Sequence, residues 1–191
     1  MKEIEVLKEL YTDIETSKNK LNNSTYVGCQ TTIDTYYYDP LRNNLKPNES
    51  NQLKECFRTR KKHNKYYITY KIDKYDEEGK WLYSDEYETL IGSIKVIEQI
   101  IKQLGLKELL TIKNKKTEYI NDGYSIVLEE VENLGNFIEV EKCTDEDIDV
   151  KREKQRIDKF MKGLNLETSQ ELYLGKPEMM LKKQLKKKNV L

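Results

Sequence analysis

Apolar and polar residues alternate along most of this chain, which predicts strands, and recur at helical spacing in only a few short stretches. Residues 2 to 10 read as a strand and residues 11 to 22 as a short polar helix ending in the Asn22-Asn23-Ser24 turn cluster. A Thr- and Tyr-rich strand runs from Thr31 to Tyr38 and stops at Asp39-Pro40, because proline cannot continue a hydrogen-bonded ladder. After a loop carrying Pro47, residues 53 to 61 and 66 to 74 form a predicted hairpin, Asp76-Glu77-Glu78-Gly79 turns the chain, and residues 81 to 90 add a strand. Ile94, Ile97, Ile101 and Leu104, widened by Val96 and Ile100, mark an amphipathic helix stopped by Gly105 and expected on the outside of the sheet. Strands follow over 108 to 120, 124 to 131 and 136 to 143, the first two joined by Asn121-Asp122-Gly123. Residues 145 to 163 read as a charged helix burying Ile148, Ile157, Phe160 and Met161, and a partly frayed helix runs from Pro177 through the lysine-rich stretch Lys182 to Lys188. About eight strands suit a small barrel enclosing one ligand.

Charge interrupts the faces that such strands should bury. Glu3 and Glu5 share one side of the first strand, as do Glu139 and Glu141 of the last, because successive side chains alternate faces. Arg58 and Arg60 repeat the period, Lys71 ends an alternating run, and Glu86 and Glu88 lie on the face opposite Asp85, Tyr87 and Thr89. A closed or nearly closed sheet with a wet interior accommodates these charges, holding cations on carboxylates and an anion on Arg and Lys. Taken alone, Glu3 and Glu5 read first as the protected face of an edge strand, a reading that reverses once Glu139 and Glu141 are added, and Arg58 and Arg60 have as their lesser reading ion pairs with Glu86 and Glu88 across a solvated sheet. The 14 tyrosines read first as strand-filling residues, some of which can line the mouth of a cavity.

Composition narrows the classes. The chain has 191 residues, 34 Lys plus Arg and 34 Asp plus Glu, so it lacks the overall basic field of a dedicated nucleic-acid binder. Charged residues make up 36%, above the usual quarter or so, which requires a very polar surface, a charged interior, or both. Neither a signal peptide nor an apolar run long enough to span a membrane is present, and a soluble cytoplasmic protein is expected. Cys29, Cys56 and Cys143 are odd in number and far apart, so they read as free thiols. His63, the single histidine, falls in a turn, which argues against histidine-based catalysis or metal ligation. The terminal lysines read as a solvated face, and the outer amphipathic helix permits a homodimer.

In order along the chain, Glu3-x-Glu5, Asp34-Thr35-Tyr36-Tyr37, Phe57-Arg58-Thr59-Arg60, Thr69-Tyr70-Lys71, Glu88 and the stretch from Glu129 to Glu141 resemble the CYTH proteins. This superfamily of class IV adenylate cyclases and thiamine triphosphatases is also called the triphosphate tunnel metalloenzymes. The resemblance covers residues 1 to 165 and leaves 166 to 191 as a helical, basic tail. It implies an α+β fold: an eight-stranded antiparallel barrel, the triphosphate tunnel, with helices packed outside. It also implies Mg²⁺ or Mn²⁺ as cofactor and ATP, thiamine triphosphate or inorganic triphosphate as substrate, cyclised or hydrolysed; a sensor that binds without turnover is the alternative. By position, Glu3, Glu5, Glu139 and Glu141, with Glu129, would hold metal; Arg58, Arg60, Lys71, Lys116 and Lys113 would grip phosphate; Lys71, Lys116 and Glu88 would serve the chemistry. Four positions depart from the pattern: Leu7 replaces a lysine, Asn114 and Lys116 replace a lysine and an arginine, and Glu129 replaces an aspartate.

Overall fold

Alternation closes on itself in this computed structural model, which describes residues 1–188: eight antiparallel strands form a barrel. The strands are β1 (Lys2–Glu9), β2 (Thr25–Tyr38), β3 (Glu55–Lys62), β4 (Lys65–Tyr75), β5 (Trp81–Ile91), β6 (Lys107–Asn121), β7 (Tyr124–Val131) and β8 (Gly135–Thr144). Their order around the barrel is β1-β5-β4-β3-β2-β6-β7-β8, with β8 pairing back to β1. The expected α+β architecture is therefore present, with helices α1 (Ile14–Lys20), α2 (Ile94–Gln103), α3 (Val150–Gly163) and α4 (Lys176–Lys188). β2 starts six residues earlier than the alternation indicates, because a register shift between Tyr26 and Gly28 breaks the two-residue period there. The β6–β7 turn places Asp122 and Gly123 at φ of 52° and 77°, the positive values that a tight hairpin turn needs and that Asp and Gly tolerate.

The main hydrophobic core lies outside the barrel. Glu3 and Glu5 point inward, so Ile4 and Val6 point outward; with Ile126, Leu128, Ile138 and Val140 they meet Ile14, Leu21, Ile157 and Met161 from α1, α3 and the residue after α1. Ile148 and Phe160 pack against this cluster half-buried. Asp149 caps α3 by accepting a hydrogen bond from the Arg152 amide at 3.0 Å. Buried Lys8, outward on β1, pairs with Asp158 of α3 at 2.6 Å. On α2 only one edge of the expected stripe is covered: Ile101 is buried and Ile94 and Ile97 half-buried, whereas Val96, Ile100 and Leu104 are exposed.

After α3 the chain turns back along β1. Ser169 and Leu172 donate backbone hydrogen bonds to the carbonyls of Glu9 and Leu7 at 3.0 and 2.8 Å, and Thr168 bridges to Leu10. This return delivers α4 to one end of the barrel, where Met180 packs in a second apolar cluster with Leu7, Tyr36, Leu110, Ile112, Val131 and Phe137. No described helix is long and apolar enough to cross a membrane.

If the outer core carries the fold, Ile157→Ala should lower unfolding free energy by about 2–5 kcal/mol in urea titration, while Val96→Ser should stay within ~0.5 kcal/mol. Equal effects would contradict this division of the two helices.

Candidate active site: a charged tunnel capped by α4

The barrel interior holds a cavity of about 310 Å³, lined among the described residues by ten acidic and six basic side chains. Strand register sets opposite charges side by side: Asp34 faces Arg60, Lys71 faces Glu86, and Lys116 faces Glu129. Arg60 grips Asp34 through Nε and Nη2, both at 2.7 Å, and Lys116 pairs with Glu129 at 2.6 Å. Lys71 bridges Glu3 and Glu86, the latter at 2.9 Å. These contacts offset the cost of removing so many ions from bulk water.

One register pair breaks that pattern, since Glu5 stands directly across from Glu141. Carboxylate oxygens of Glu3, Glu5 and Glu141 all lie within 4.8 Å of one another. Burial, with the neighbouring negative charges, pushes all three upward, Glu5 to about 8. Glu139 behaves oppositely: burial acts on it too, but Lys176 and Lys116 outweigh it and hold its carboxyl well below the usual range. The first three, although Lys71 also reaches Glu3, fit a hard divalent cation, which prefers oxygen donors and relieves like-charge crowding, whereas lysines engage Glu129 and Glu139 closely.

Across the tunnel Arg58 is half-buried and only loosely held. Its guanidinium donates to Tyr36 at 3.3 Å and lies 3.7 to 3.9 Å from Asp34, Glu86 and Glu88, while its Nε has no hydrogen-bond partner among the described residues. Planar donors left unsatisfied beside a polar cavity suit an incoming anion with several oxygens. Glu88 accepts from Thr69 Oγ1 at 2.7 Å.

Lys176, which the motif pattern does not single out, projects from the start of α4 into the tunnel and pairs with Glu129 at 2.8 Å and Glu139 at 2.5 Å. Glu139 is the register partner of Leu7, so the cation absent from β1 is replaced at that level from the other end of the sequence. Glu86 also belongs to the site; its shared face with Glu88 is the sequence signal for it, and Lys71 and Arg58 overcome burial to bring its carboxyl down to about 2. Asp34 is likewise part of the site, through Arg60. The structure gathers Glu3, Glu5, Arg58, Arg60, Lys71, Glu88, Lys116, Glu129, Glu139 and Glu141 around the cavity. Lys113 is not among them: odd parity on β6 turns it outward, where it pairs with Glu132 at 3.4 Å on an exposed surface.

Comparison with known proteins agrees with this geometry. The CYTH domain family model matches residues 1–172. A Methanocaldococcus jannaschii protein named "Putative adenylate cyclase MJ0240" is 29% identical over 112 residues, a match spanning 59% of this chain and 63% of that protein. The PH1819 protein of Pyrococcus horikoshii superposes with a TM-score of 0.79 at 26% identity, over 95% of this chain and 99% of the other. The Hippeastrum protein HpAC1, a putative adenylyl cyclase with a dominant triphosphatase activity, shares the fold with a TM-score of 0.57 at 17% identity, over 91% of each chain.

Glu5 supplies a pH test. Its folded-state value of about 8 lies above the ordinary 4.5, so its contribution to stability is fully present below the ordinary value and is lost as pH rises through about 8. Glu86, lowered to about 2, acts only on the acid side and does not mask this. The thermal midpoint of metal-free protein should fall as pH rises through about 8, and Glu5→Gln should reduce that fall; an equal fall in the variant would remove Glu5 as its cause.

Proposed function

The chain belongs to the CYTH domain family, and on that premise we propose that its tunnel is a metal-dependent active site for a triphosphate. The reaction is that of an adenylate cyclase-like enzyme, converting ATP to cyclic AMP and pyrophosphate, or hydrolysis of an organic or inorganic triphosphate. The observation that carries this reading is the division of the tunnel: crowded carboxylates of Glu3, Glu5 and Glu141 face a half-buried, undercommitted Arg58 with Lys71 beside it. Mg²⁺ or Mn²⁺, when bound, supplies charge neutralisation of phosphate oxygens.

In this reading Glu3, Glu5 and Glu141 are the metal ligands, and Glu129 and Glu139 orient Lys116 and Lys176 toward the substrate. Arg58 and Arg60 bind the polyphosphate, with Arg58 meeting it first because its ion pairs are long while Arg60 is committed to Asp34. Lys71 and Lys116 stabilise negative charge that grows on the departing phosphate group, a stabilisation strengthened by exclusion of bulk water. Glu88, at the edge of this group and held by Thr69, positions the attacking oxygen. Water as attacking group gives hydrolysis; a ribose 3′-hydroxyl beside the α-phosphate gives a cyclic nucleotide.

Purified protein should be incubated with Mg²⁺ or Mn²⁺ and, separately, ATP, thiamine triphosphate and inorganic triphosphate, resolving cyclic AMP, pyrophosphate and orthophosphate. Turnover of at least one, lost on chelation, is expected. Binding of a triphosphate without turnover would replace the enzyme by a sensor, and neither binding nor turnover would overturn the reading. Arg58→Ala should cost ~1.5–3 kcal/mol of substrate binding, about 10–100-fold in kcat/KM, with the fold intact.

A further inference from the structure

Beneath α4 the cavity wall carries a second donor cluster. The thiol of Cys56 on β3 and the carboxylates of Asp73 on β4 and Glu178 on α4 offer donor atoms that all lie within 4.8 Å of one another. Glu178 is 3% exposed; its Oε1 accepts from the Leu53 amide at 3.2 Å, and its buried Oε2 has no hydrogen-bond partner among the described residues. Among the described residues no basic side chain pairs with it, unlike buried Glu129 and Glu139. A Cβ at position 175 would stand 2.7 Å from that same Oε2, so Gly175 leaves the space this carboxylate occupies. Asp73 accepts from Ser84 Oγ at 2.7 Å through Oδ1 and only a long 3.5 Å contact from Tyr75 through Oδ2. A buried carboxylate oxygen without a donor is costly, and a cation satisfies it.

We propose that Cys56, Asp73 and Glu178 form a structural site for a thiophilic divalent cation such as Zn²⁺, separate from the triphosphate chemistry, which ties α4 to β3 and β4. One thiolate with two carboxylates suits Zn²⁺, whereas Mg²⁺ and Ca²⁺ take oxygen donors alone. Bonds of about 2.3 Å to sulfur and about 2.0–2.2 Å to oxygen place tetrahedral ligands roughly 3.5 Å apart, so donors now within 4.8 Å need small side-chain rotations. Binding releases the Cys56 proton, and water fills the fourth position. Because Lys176 precedes Glu178 by two residues on α4, the cation would also fix the lysine that enters the tunnel.

Co²⁺ is the probe, added to full-length Cys29→Ser/Cys143→Ser protein in excess Mg²⁺, which occupies oxygen-only sites without giving a thiolate signal. A near-ultraviolet thiolate-to-cobalt charge-transfer band should saturate at one equivalent, be displaced by Zn²⁺, and vanish in Cys56→Ser. Glu178→Gln and Asp73→Asn, checked as folded by circular dichroism, should each weaken Co²⁺ binding by about 10–100-fold or more. No band in the folded parent, a band that does not saturate at one equivalent, or unchanged affinity in both carboxamide variants would overturn the site, whatever the outcome with triphosphates.

Discussion

A barrel whose interior is ionic cannot be held together by its own filling. Burying a charge costs several kcal/mol, and a buried ion pair at best roughly recovers that cost. The free energy that closes this sheet must come from elsewhere, and the structure supplies it on the outside. Ile4, Val6, Ile126, Leu128, Ile138 and Val140 turn away from the cavity and are covered by Ile157 and Met161 of α3 and by Ile14. One strand thus serves two opposed purposes on its two faces, and β1 shows it most compactly, with Glu3 and Glu5 inside and Ile4 and Val6 fully buried outside.

Within the tunnel, neighbouring strands neutralise one another wherever a basic residue falls in register with an acidic one, as for Arg60 with Asp34 or Lys71 with Glu86. The exception, Glu5 against Glu141, concentrates negative charge at one place rather than spreading it. Arg58 is the complementary exception, a half-buried cation whose acidic partners among the described residues are all distant. A surface on which every charge was satisfied would gain little from a highly charged ligand. The two mismatches give a metal and a polyphosphate something to complete, and this is why they stand out from the surrounding pairs.

Most of the wall was legible because the strand period is two. Parity alone puts Glu3 with Glu5, Arg58 with Arg60, and Glu139 with Glu141, and the same rule turns Lys113 away from Lys116. Parity did not reveal which of two adjacent stripes on α2 would be covered, since Ile97 and Ile100 are equally apolar and only the sheet beside them decides. Nor did it find Lys176. No local pattern marks one lysine among many in a basic tail, and its partners Glu129 and Glu139 are about forty residues earlier; backbone bonds from Ser169 and Leu172 to β1 are what bring it there. Leu7 becomes intelligible only with that helix in place, as part of the apolar contact that receives Met180.

Lys176 follows all eight strands in the chain. Its partners Glu129 and Glu139 stand on neighbouring strands β7 and β8, which pair with each other and close the barrel through strand ladders in which α4 takes no part. The charge that completes this interior therefore comes from a segment outside the barrel's own strands, so that the closed sheet and its electrostatic balance are encoded in separate stretches of the polypeptide.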